Sequence, residues 1–281
     1  MKTIAALLTV HNRKEQTLKC LQNISKVSLP KDVLLDIYLT DDGCTDGTPE
    51  AVVEKYPKVH IIKGDGNLFW NRGMYKAWEE AAKNDYDFYL WLNDDTYVIE
   101  NFISVLLETS ALKNDQAVIV GCTQSLDKKK ITYGGRTTEG IIPHPNGTVV
   151  EVNHFNGNIV LVPKYVYNKV GNLDYYYRHS KGDFDYGQRA KKYMIHSYQA
   201  GQVLGYCDWH EKIDKWCDPN VPLCQRWEAM NRPTGMPPKE TFHLNFKHVG
   251  FSSALVHYIL IYVRCLFPSI WVKSNKVKEI K

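Results

Sequence analysis

Short apolar runs alternate with amphipathic segments over the first 123 residues of the chain. The runs are apolar at consecutive positions, which predicts strands covered on both faces. These predicted strands are Ile4–Val10, Val33–Thr40, Val59–Ile62, Phe88–Leu92 and Ala117–Gly121. Between them apolar residues recur at helical spacing, as at Leu18, Leu21 and Ile24. The alternation predicts an α/β fold with a mostly parallel sheet, in which ligands bind beyond the carboxyl ends of the strands.

The pattern changes after Thr123. A stretch rich in Lys, Gly and Pro predicts an irregular hairpin or flap. The elements predicted after it are a strand over Asn158–Val162, a helix that begins at Pro163, a helix near Phe184–Met194 and a strand over Gln202–Tyr206. These elements complete a second half on the same sheet.

Composition indicates a protein that folds around a large core. The chain has 281 residues, of which 44% are hydrophobic and 12% are aromatic. A chain of this size buries roughly three quarters of its unfolded surface, so it needs neither disulfides nor a metal to fold. Wholly disordered chains and repeat arrays are therefore excluded.

Charge is distributed unevenly along the chain. The net charge is +4, but residues 236–281 carry seven Lys or Arg against two Asp or Glu, which leaves −1 for residues 1–235. Nucleic-acid binding depends mainly on neutralising phosphates with a broad basic surface. We therefore expect no nucleic-acid partner.

The seven cysteines are odd in number and form no C-x-x-C pair, which predicts reduced thiols in a cytoplasmic protein. Cys207, His210, Cys217 and Cys224 lie close together in sequence and leave a structural zinc site as the alternative. The apolar run at Ile4 ends in polar residues without a small-residue cleavage site, unlike a secretory signal.

Two acids follow the second predicted strand. Asp41 and Asp42 precede a glycine-containing turn, with Thr48 and Pro49 expected as the N-cap and first residue of a helix. Turn and cap chemistry does not explain two adjacent like charges, which repel unless the donors of a ligand use them. Hydrogen bonds to a base N–H or to a ribose hydroxyl are such a use.

An amide and two acids follow the fourth predicted strand, namely Asn93, Asp94 and Asp95. Mg²⁺ and Mn²⁺ take oxygen ligands, usually one or two carboxylates completed by waters and substrate phosphates. An extended chain places Asn93 and Asp95 on one face and Asp94 on the other, which makes Asp95 the candidate metal ligand. The alternative is a polar loop that caps a helix beginning near Ile99.

A third carboxylate lies at the start of a predicted helix. Asp183 is expected to be the N-cap of that helix. An aspartate at a helix terminus that faces a cleft can also act as a general base. The two roles are compatible, and Asp185 is the next candidate.

Five segments in this order resemble the family 2 glycosyltransferases of the GT-A fold. They are Thr9–Arg13, Asp41–Thr48, Gly64–Gly73, Asn93–Thr96 and Gly182–Asp183. Each motif alone is weak, but the order and spacing match over roughly residues 3–210. The resemblance implies a Rossmann-like sheet flanked by helices. It also implies a nucleotide-sugar half over residues 1–123 and an acceptor half over 124–235. Residues 236–281, beyond the resemblance, are expected to form an amphipathic helix with a basic tail.

The resemblance implies roles for single residues. Asp42 would read the pyrimidine of a nucleotide-sugar, Asn93 and Asp95 would stand at the outer positions of the D-x-D metal motif, and Asp183 would be the base. The residues expected to bind the nucleotide-sugar are Thr9, His11, Asn12, Arg13, Asp41, Asp42, Asn67, Trp70, Asn93 and Asp94. Mn²⁺ or Mg²⁺ is expected on Asp95 and on His210, which falls where many members place a histidine near the metal or diphosphate. Trp70, in a Gly- and Asn-rich segment, is expected to stack on a sugar.

Three residues depart from the family pattern. Cys44 replaces the usual Ser of the turn, Asn93 replaces the first Asp of D-x-D, and Gly182 replaces the Glu that usually precedes the base. The last of these bears on how the acceptor is recognised.

The resemblance implies an inverting, metal-dependent hexosyl- or rhamnosyltransferase that builds bacterial surface polysaccharide. It would take a sugar from a nucleoside-diphosphate-sugar to a saccharide acceptor linked to a lipid. Two alternatives stay open. A sugar-1-phosphate nucleotidyltransferase needs a glycine-rich phosphate loop after the first strand, where this chain has His11, Asn12 and Arg13. A catalytically inactive nucleotide-sugar binding module is the other.

The C-terminal region predicts a helix over Phe251–Phe267, ended by Pro268, with a broad apolar face. The stretch from Ala254 to Phe267 spans about 21 Å, less than a bilayer core requires. The basic residues beyond it are Lys273, Lys276, Lys278 and Lys281. We therefore expect a peripheral protein on the anionic inner face of the cell membrane. The alternative is a helix packed on the body or in a homodimer interface.

Overall fold

A computed structural model describes residues 1–209 and 213–270 of the chain. Strands and helices alternate over its first half, as predicted. The elements are β1 (Lys2–Val10), α1 (Lys14–Ile24), β2 (Val33–Asp41), α2 (Thr48–Lys55), β3 (His60–Lys63), α3 (Phe69–Ala81), β4 (Phe88–Leu92), β5 (Tyr97–Val98), α4 (Phe102–Ala111), β6 (Val118–Gln124), β7 (Gly135–Arg136), β8 (Val150–Val152), β9 (His154–Phe155), β10 (Ile159–Pro163), α5 (Lys164–Val170), α6 (Gly182–Lys192), β11 (Ser197–Tyr206), α7 (Leu223–Asn231), α8 (Pro238–His248) and α9 (Phe251–Leu266).

The strands form one large mixed sheet in the order β3-β2-β1-β4-β10-β6-β11-β5, with β8 paired to β11. Strands β1 to β4 pair in parallel, as do β6 and β11, whereas β10 runs antiparallel to both of its neighbours. The alternation of strands and helices predicted a mostly parallel sheet. Strand β10 differs because no crossover helix separates it from β6, so the chain re-enters the sheet from the edge at which β6 ended.

All five strands predicted before residue 123 are confirmed, and so are the strand at β10, the helix at α5 and the C-terminal helix α9. Helix α4 begins at Phe102 rather than near Ile99, because the short strand β5 pairs with β11 first. Helix α2 begins one residue earlier than expected. Its N-cap is Gly47, and the side chain of Asp46 accepts hydrogen bonds from the Thr48 N–H (3.0 Å) and hydroxyl.

Apolar residues cover both faces of the sheet, which explains the uninterrupted apolar runs of its strands. Alternate residues of β1 enter opposite clusters, with Leu8 on one face and Leu7 on the other. Helices α1, α2 and α4 bury side chains on the first face, and α3, α5 and α6 on the second. The helices therefore leave the carboxyl edge of the parallel strands to the connecting loops.

The chain divides into two compact units. The first comprises Met1–Arg178 and Gly182–Trp209, and the second comprises His179–Lys181 and His210–Lys281. The predicted division into donor and acceptor halves is a functional one and stays a prediction. In the second unit α7 and α9 share a small core of Trp216, Cys217, Met230, Ile261 and Cys265. No helix within the described ranges is both long and apolar enough to cross a membrane.

Candidate active site

The residues that follow three neighbouring strands meet at one edge of the sheet. Val10 at the end of β1 pairs with Asp41 at the end of β2, and β4 runs parallel on the other side of β1. Parallel strands end at the same edge, so the polar segments after them lie together. This placement assembles the candidate site from segments that are far apart in sequence.

Arg13 joins the two acids that follow β4. Its guanidinium donates to Asp94 Oδ1 at 3.0 Å and to Asp95 Oδ2 at 2.8 Å. Asp94 also accepts from the hydroxyl of Thr17 (3.3 Å). Burial raises the pKa of Asp94 to about 6, against the opposing effect of Arg13. The side chain of Asp95 stays 29% exposed against 5% for Asp94, so Asp95 is the carboxylate that a ligand can reach.

The expected alternation of faces at this strand end is wrong. Both Asp94 and Asp95 contact Arg13, whereas Asn93 faces Trp70. Strand β4 ends at Leu92, and the Thr96 N–H donates to the Asn93 carbonyl at 3.2 Å. The chain therefore turns here, and the two-residue period of a strand does not apply.

A chain of contacts leads from Asn93 to Asp183. The indole N–H of Trp70 donates to Asn93 Oδ1 at 2.7 Å. The far edge of the Trp70 ring covers Gly157 so closely that a Cβ on this glycine would lie 2.5 Å from ring atoms. The Gly157 N–H in turn donates to Asp183 Oδ2 at 3.2 Å. Trp70 lies in the first turn of α3 rather than in a loop, and both ends of its ring are fixed.

Asp183 lies inside the first turn of α6, which begins at Gly182, so it is not the N-cap that the sequence suggested. Its Oδ1 accepts from the N–H of Phe184 at 2.9 Å. Together with the bond from Gly157, this contact orients the half-buried carboxylate. Asp185, the second candidate, is fully buried and paired with Arg189 at 2.7 Å. Asp183 is therefore the acid of this helix start that a substrate can approach.

Asp42 is buried and serves the protein's own backbone. Its carboxylate accepts from the N–H groups of Gly66 (2.9 Å), Leu68 (3.1 Å) and Phe69 (2.8 Å). Asp41 Oδ1 accepts from the Cys44 N–H at 2.8 Å. The argument that two adjacent acids need the donors of a ligand is therefore wrong, because main-chain donors satisfy both. The role of Asp42 in nucleotide binding stays a prediction. The three hydrogen bonds to its carboxylate hold the loop that leads to Trp70.

The other predicted residues differ in how they relate to this edge. His11 Nδ1 lies 2.6 Å from the Asp42 carbonyl oxygen, and Asn12 Oδ1 accepts from the Thr45 N–H at 2.7 Å. Asn67 is exposed in the loop before α3. Thr9 fills the space beside Gly73, where a Cβ would meet its hydroxyl at 2.0 Å, and so packs α3 on the sheet. His210 lies outside the described residues.

The donor set suits a hard cation that arrives with a nucleotide. Among residues 1–209 and 213–270, no cluster of three or more His, Cys, Asp or Glu could hold a metal ion. Asn93 Oδ1 already accepts from Trp70, and one oxygen of Asp95 accepts from Arg13. Mg²⁺ and Mn²⁺ need only one or two carboxylates when phosphates and waters complete the shell. Asp95 meets that requirement.

Sequence reasoning missed Gly157, Asn158 and Asn71. The Asn158 carbonyl accepts from the Asn93 N–H at 3.2 Å, and the Asn158 amide lies 3.7 Å from Cys207 Sγ. The signal was the polar triplet at residues 156–158, directly before an apolar strand. The rule that ligands bind after strands does not cover this segment, because an antiparallel strand brings its beginning to the carboxyl edge of its parallel neighbours.

Comparison with known proteins identifies the fold and the family. Residues 6–214 match the sequence pattern described as Glycosyl transferase family 2. The chain belongs to glycosyl transferase family 2. It is therefore a glycosyltransferase of the GT-A fold, which confirms the resemblance of the five motifs. The sugar-1-phosphate nucleotidyltransferase alternative is set aside.

The chain is similar to one glycosyltransferase over a short segment of sequence and to two solved structures in fold. A segment of 54 residues is 32% identical to the N-acetylglucosaminyl-diphospho-decaprenol L-rhamnosyltransferase of Mycobacterium tuberculosis, and it spans 19% of this chain and 18% of that protein. The S. aureus TarS 1-349 structure in complex with UDP-GlcNAc has a TM-score of 0.56 at 14% identity, covering 90% of this chain and 72% of that one. The mannosyltransferase PcManGT from Pyrobaculum calidifontis, in complex with GDP-Man and Mn²⁺, has a TM-score of 0.56 at 13% identity, covering 99% and 80%.

Proposed function

We propose that this glycosyltransferase transfers a sugar from a nucleoside-diphosphate-sugar to a hydroxyl of a saccharide acceptor, with inversion at the anomeric carbon. The observation that carries the proposal is the pair of contact chains that meet at residues 93–95. One runs from Asp95 through Arg13 to Asp94, and the other runs from Asn93 through Trp70 and Gly157 to Asp183. The first chain offers a carboxylate for the cation that stabilises a leaving diphosphate, and the second chain orients a candidate base.

The reaction is one displacement. The acceptor oxygen attacks the anomeric carbon while the bond from that carbon to the diphosphate oxygen breaks, and the electron pair leaves with the diphosphate. Asp183 accepts the proton of the attacking hydroxyl, and two backbone N–H groups keep its carboxylate in place. The acceptor approaches opposite to the leaving group, so the configuration inverts. No residue has to form a covalent intermediate with the sugar.

The leaving diphosphate gains negative charge, which the site must stabilise. Asp95 would hold Mn²⁺ or Mg²⁺, and the ion would act as a Lewis acid on the diphosphate. Arg13 neutralises one of the two adjacent carboxylates, so residues 13, 94 and 95 together carry a net charge of about −1 before ligands bind. That remaining negative charge favours binding of a cation but is too small to bind it tightly.

Two features of the second unit support the proposal that the acceptor is linked to a lipid and held at an anionic membrane. The outward face of α9 exposes Leu255, Val256, Ile259, Leu260, Leu266 and Phe267, whereas Ala254, Ile261 and Cys265 on the opposite face are buried. A contiguous apolar face of this kind marks an interaction surface. Residues 236–281 carry the excess of positive charge, which favours an anionic bilayer over a neutral one. We therefore propose that the enzyme works at the inner leaflet, in surface polysaccharide synthesis.

The test of the base is Asp183→Asn. The amide keeps one oxygen, which can accept from the N–H of Phe184 or of Gly157, so the variant loses one of these two hydrogen bonds and the fold should stay intact. The amide cannot take a proton. We expect the rate of donor hydrolysis or transfer in Mn²⁺ to fall at least ~10²-fold, with unchanged affinity for UDP or dTDP. A panel of nucleotide-sugars screened by thermal shift identifies the donor first, because a bound donor stabilises the fold.

Asp127→Asn, a change at an exposed turn, is the matched control and should keep the wild-type rate. A wild-type rate for Asp183→Asn would show that the base is another group. A wild-type protein that binds a nucleotide-sugar but turns none over would support the inactive binding module instead.

A further inference from the structure

The first turn of α3 holds the loop that leads into the base helix. The side-chain amide of Asn71 donates to the carbonyls of Asp174 and Tyr177, both at 2.8 Å, and its main-chain N–H donates to the Arg178 carbonyl at 3.0 Å. Arg72 Nε donates to the Tyr175 carbonyl at 2.9 Å. Two residues of α3 therefore fix the backbone of residues 174–178, four positions before α6 begins.

Asn71 also occupies the space next to Gly182. A Cβ built on Gly182 would lie 1.6 Å from Asn71 Oδ1 and 2.5 Å from Asn71 Cγ. Asn71 is completely buried, and two hydrogen bonds hold its amide, so it has no free room to move aside. Oδ1 itself has no hydrogen-bond partner among residues 1–209 and 213–270. The side chain of Asn71 thus fills the space that a side chain at position 182 would need.

This arrangement explains the departure from the family pattern at position 182. A glutamate there, or any residue larger than glycine, would need the volume that Asn71 fills. Packing against Asn71 therefore accounts for Gly182 without invoking lost catalysis. The next residue in the chain is Asp183, whose carboxylate depends on where α6 begins.

We infer that Asn71 is a positioning residue for Asp183: it anchors the loop before α6 and, with Gly182, sets the point at which the helix begins. The inference rests on the proposed role of Asp183 as the base. A displacement of about 1 Å at a reacting group can cost about 10²-fold in rate, so a small shift of the helix start is enough to matter. It also follows that the acceptor meets a single carboxylate at this helix start.

The experiment is a double-mutant cycle on Asn71→Ala and Gly182→Ala. We expect Gly182→Ala in the wild-type background to lower kcat by about 10²-fold, without changing the KM for the donor or the affinity for UDP or dTDP. In the Asn71→Ala background, where the overlapping atoms are gone, Gly182→Ala should change kcat by less than about threefold. Asn71→Ala alone should lower kcat because the loop loses two anchors.

Asn172→Ala is the matched control. Asn172 donates to the Tyr75 carbonyl at 3.0 Å, so it also ties this loop to α3, but it belongs to no contact near Gly182. The penalty of Gly182→Ala should persist in the Asn172→Ala background. Rescue by Asn172→Ala would show general loosening of the loop and would overturn the inference.

Thermal unfolding of the same variants separates positioning from packing. Equal kcat penalties of Gly182→Ala in both backgrounds overturn the inference, and so does coupling in melting temperature without coupling in kcat. If Gly182→Ala does not fold, the double variant must fold and show the rate of Asn71→Ala. If Asp183→Asn keeps the wild-type rate, the proposed base is wrong, whereas coupling between positions 71 and 182 in melting temperature would still be seen.

Discussion

At the scale of single residues, the site separates two oxygen donors that the sequence made equivalent. Asn93 gives its side-chain oxygen to the Trp70 indole, so it positions an aromatic ring. Asp95 keeps an exposed carboxylate, one oxygen of which is bound to Arg13. One carboxylate is too few to hold a hard divalent cation tightly, and the phosphates of the donor must supply further ligands.

We therefore predict that Mn²⁺ binding depends on the nucleotide. Mn²⁺ alone should bind weakly, and UDP or dTDP should strengthen its binding because the diphosphate completes the shell. Asp95→Asn should lower the nucleotide-dependent Mn²⁺ affinity at least ~10-fold. Electron paramagnetic resonance of free Mn²⁺, with and without nucleotide, measures both quantities.

Asp127→Asn again serves as the control, and its Mn²⁺ titration should match that of the wild type. Tight Mn²⁺ binding in the absence of nucleotide, or an unchanged titration for Asp95→Asn, would contradict the assignment of Asp95.

At the scale of elements, Asp46 connects the starts of two helices. Its carboxylate accepts from the Lys14 N–H at the start of α1 (3.0 Å) and from the N–H and hydroxyl of Thr48 at the start of α2. The hydrogen bond from the Thr48 hydroxyl holds the pKa of Asp46 below its usual value of 3.8. These loops carry Asn12, Arg13 and Asp42, so the cap also shapes the site.

We predict that Asp46→Ala lowers the free energy of unfolding by about 1 kcal/mol, the usual cost of losing a side chain that accepts from the first N–H groups of a helix. Because the folded-state pKa is depressed, this stabilisation should be complete well above pH 3.8 and vanish as the pH falls below it. Urea unfolding at neutral and acidic pH measures the difference. Glu54→Ala, an exposed residue of α2 that removes the same charge, should cost less than half as much.

At the scale of the whole molecule, the described part of the second unit exposes an apolar face on α9. Arg226 secures the end of α9 by donating to the carbonyls of Cys265 (2.9 Å) and Leu266 (3.5 Å), so the helix is fixed although its outer side is exposed. Removing the helix to test membrane binding would also remove Ile261 and Cys265 from the core. Substitutions on the exposed face are therefore the appropriate test.

We predict that the full chain binds vesicles of phosphatidylglycerol at low salt and binds vesicles of phosphatidylcholine much more weakly. Val256→Ser with Ile259→Ser should weaken this binding at least ~10-fold, because each buried apolar side chain contributes about 1.5–3 kcal/mol. Sedimentation with the vesicles measures the bound fraction. Donor hydrolysis in solution should not change.

Leu112→Ser is the matched control, since this exposed leucine lies in the first unit and should leave vesicle binding intact. The outcome that would contradict membrane binding has two parts: the wild type binds no vesicles, and it forms a dimer in solution that the Val256→Ser, Ile259→Ser variant does not form. This result would show that a second copy covers the face.

The order of apolar and polar residues was enough to predict where the first strands lie and which strand ends carry the polar residues of the site. Apolar runs require burial on both faces, and this local requirement places the ends of β1 to β4 and β6 to within three residues. The order and spacing of five motifs were enough for the family, because the loops after parallel strands meet at one edge. Arg13, Asp95, Trp70 and Asp183 were all singled out in this way.

Which groups each side chain contacts could be read only from the folded chain. Asp42 looked free for a ligand, yet three N–H groups from a loop more than 20 residues away satisfy it. Asn71 and Gly182 lie 111 positions apart and share one volume, which no local pattern can indicate. Hydrogen bonding and packing depend on distance in space, and the antiparallel β10 brings to the site a segment that strand-end reasoning does not reach.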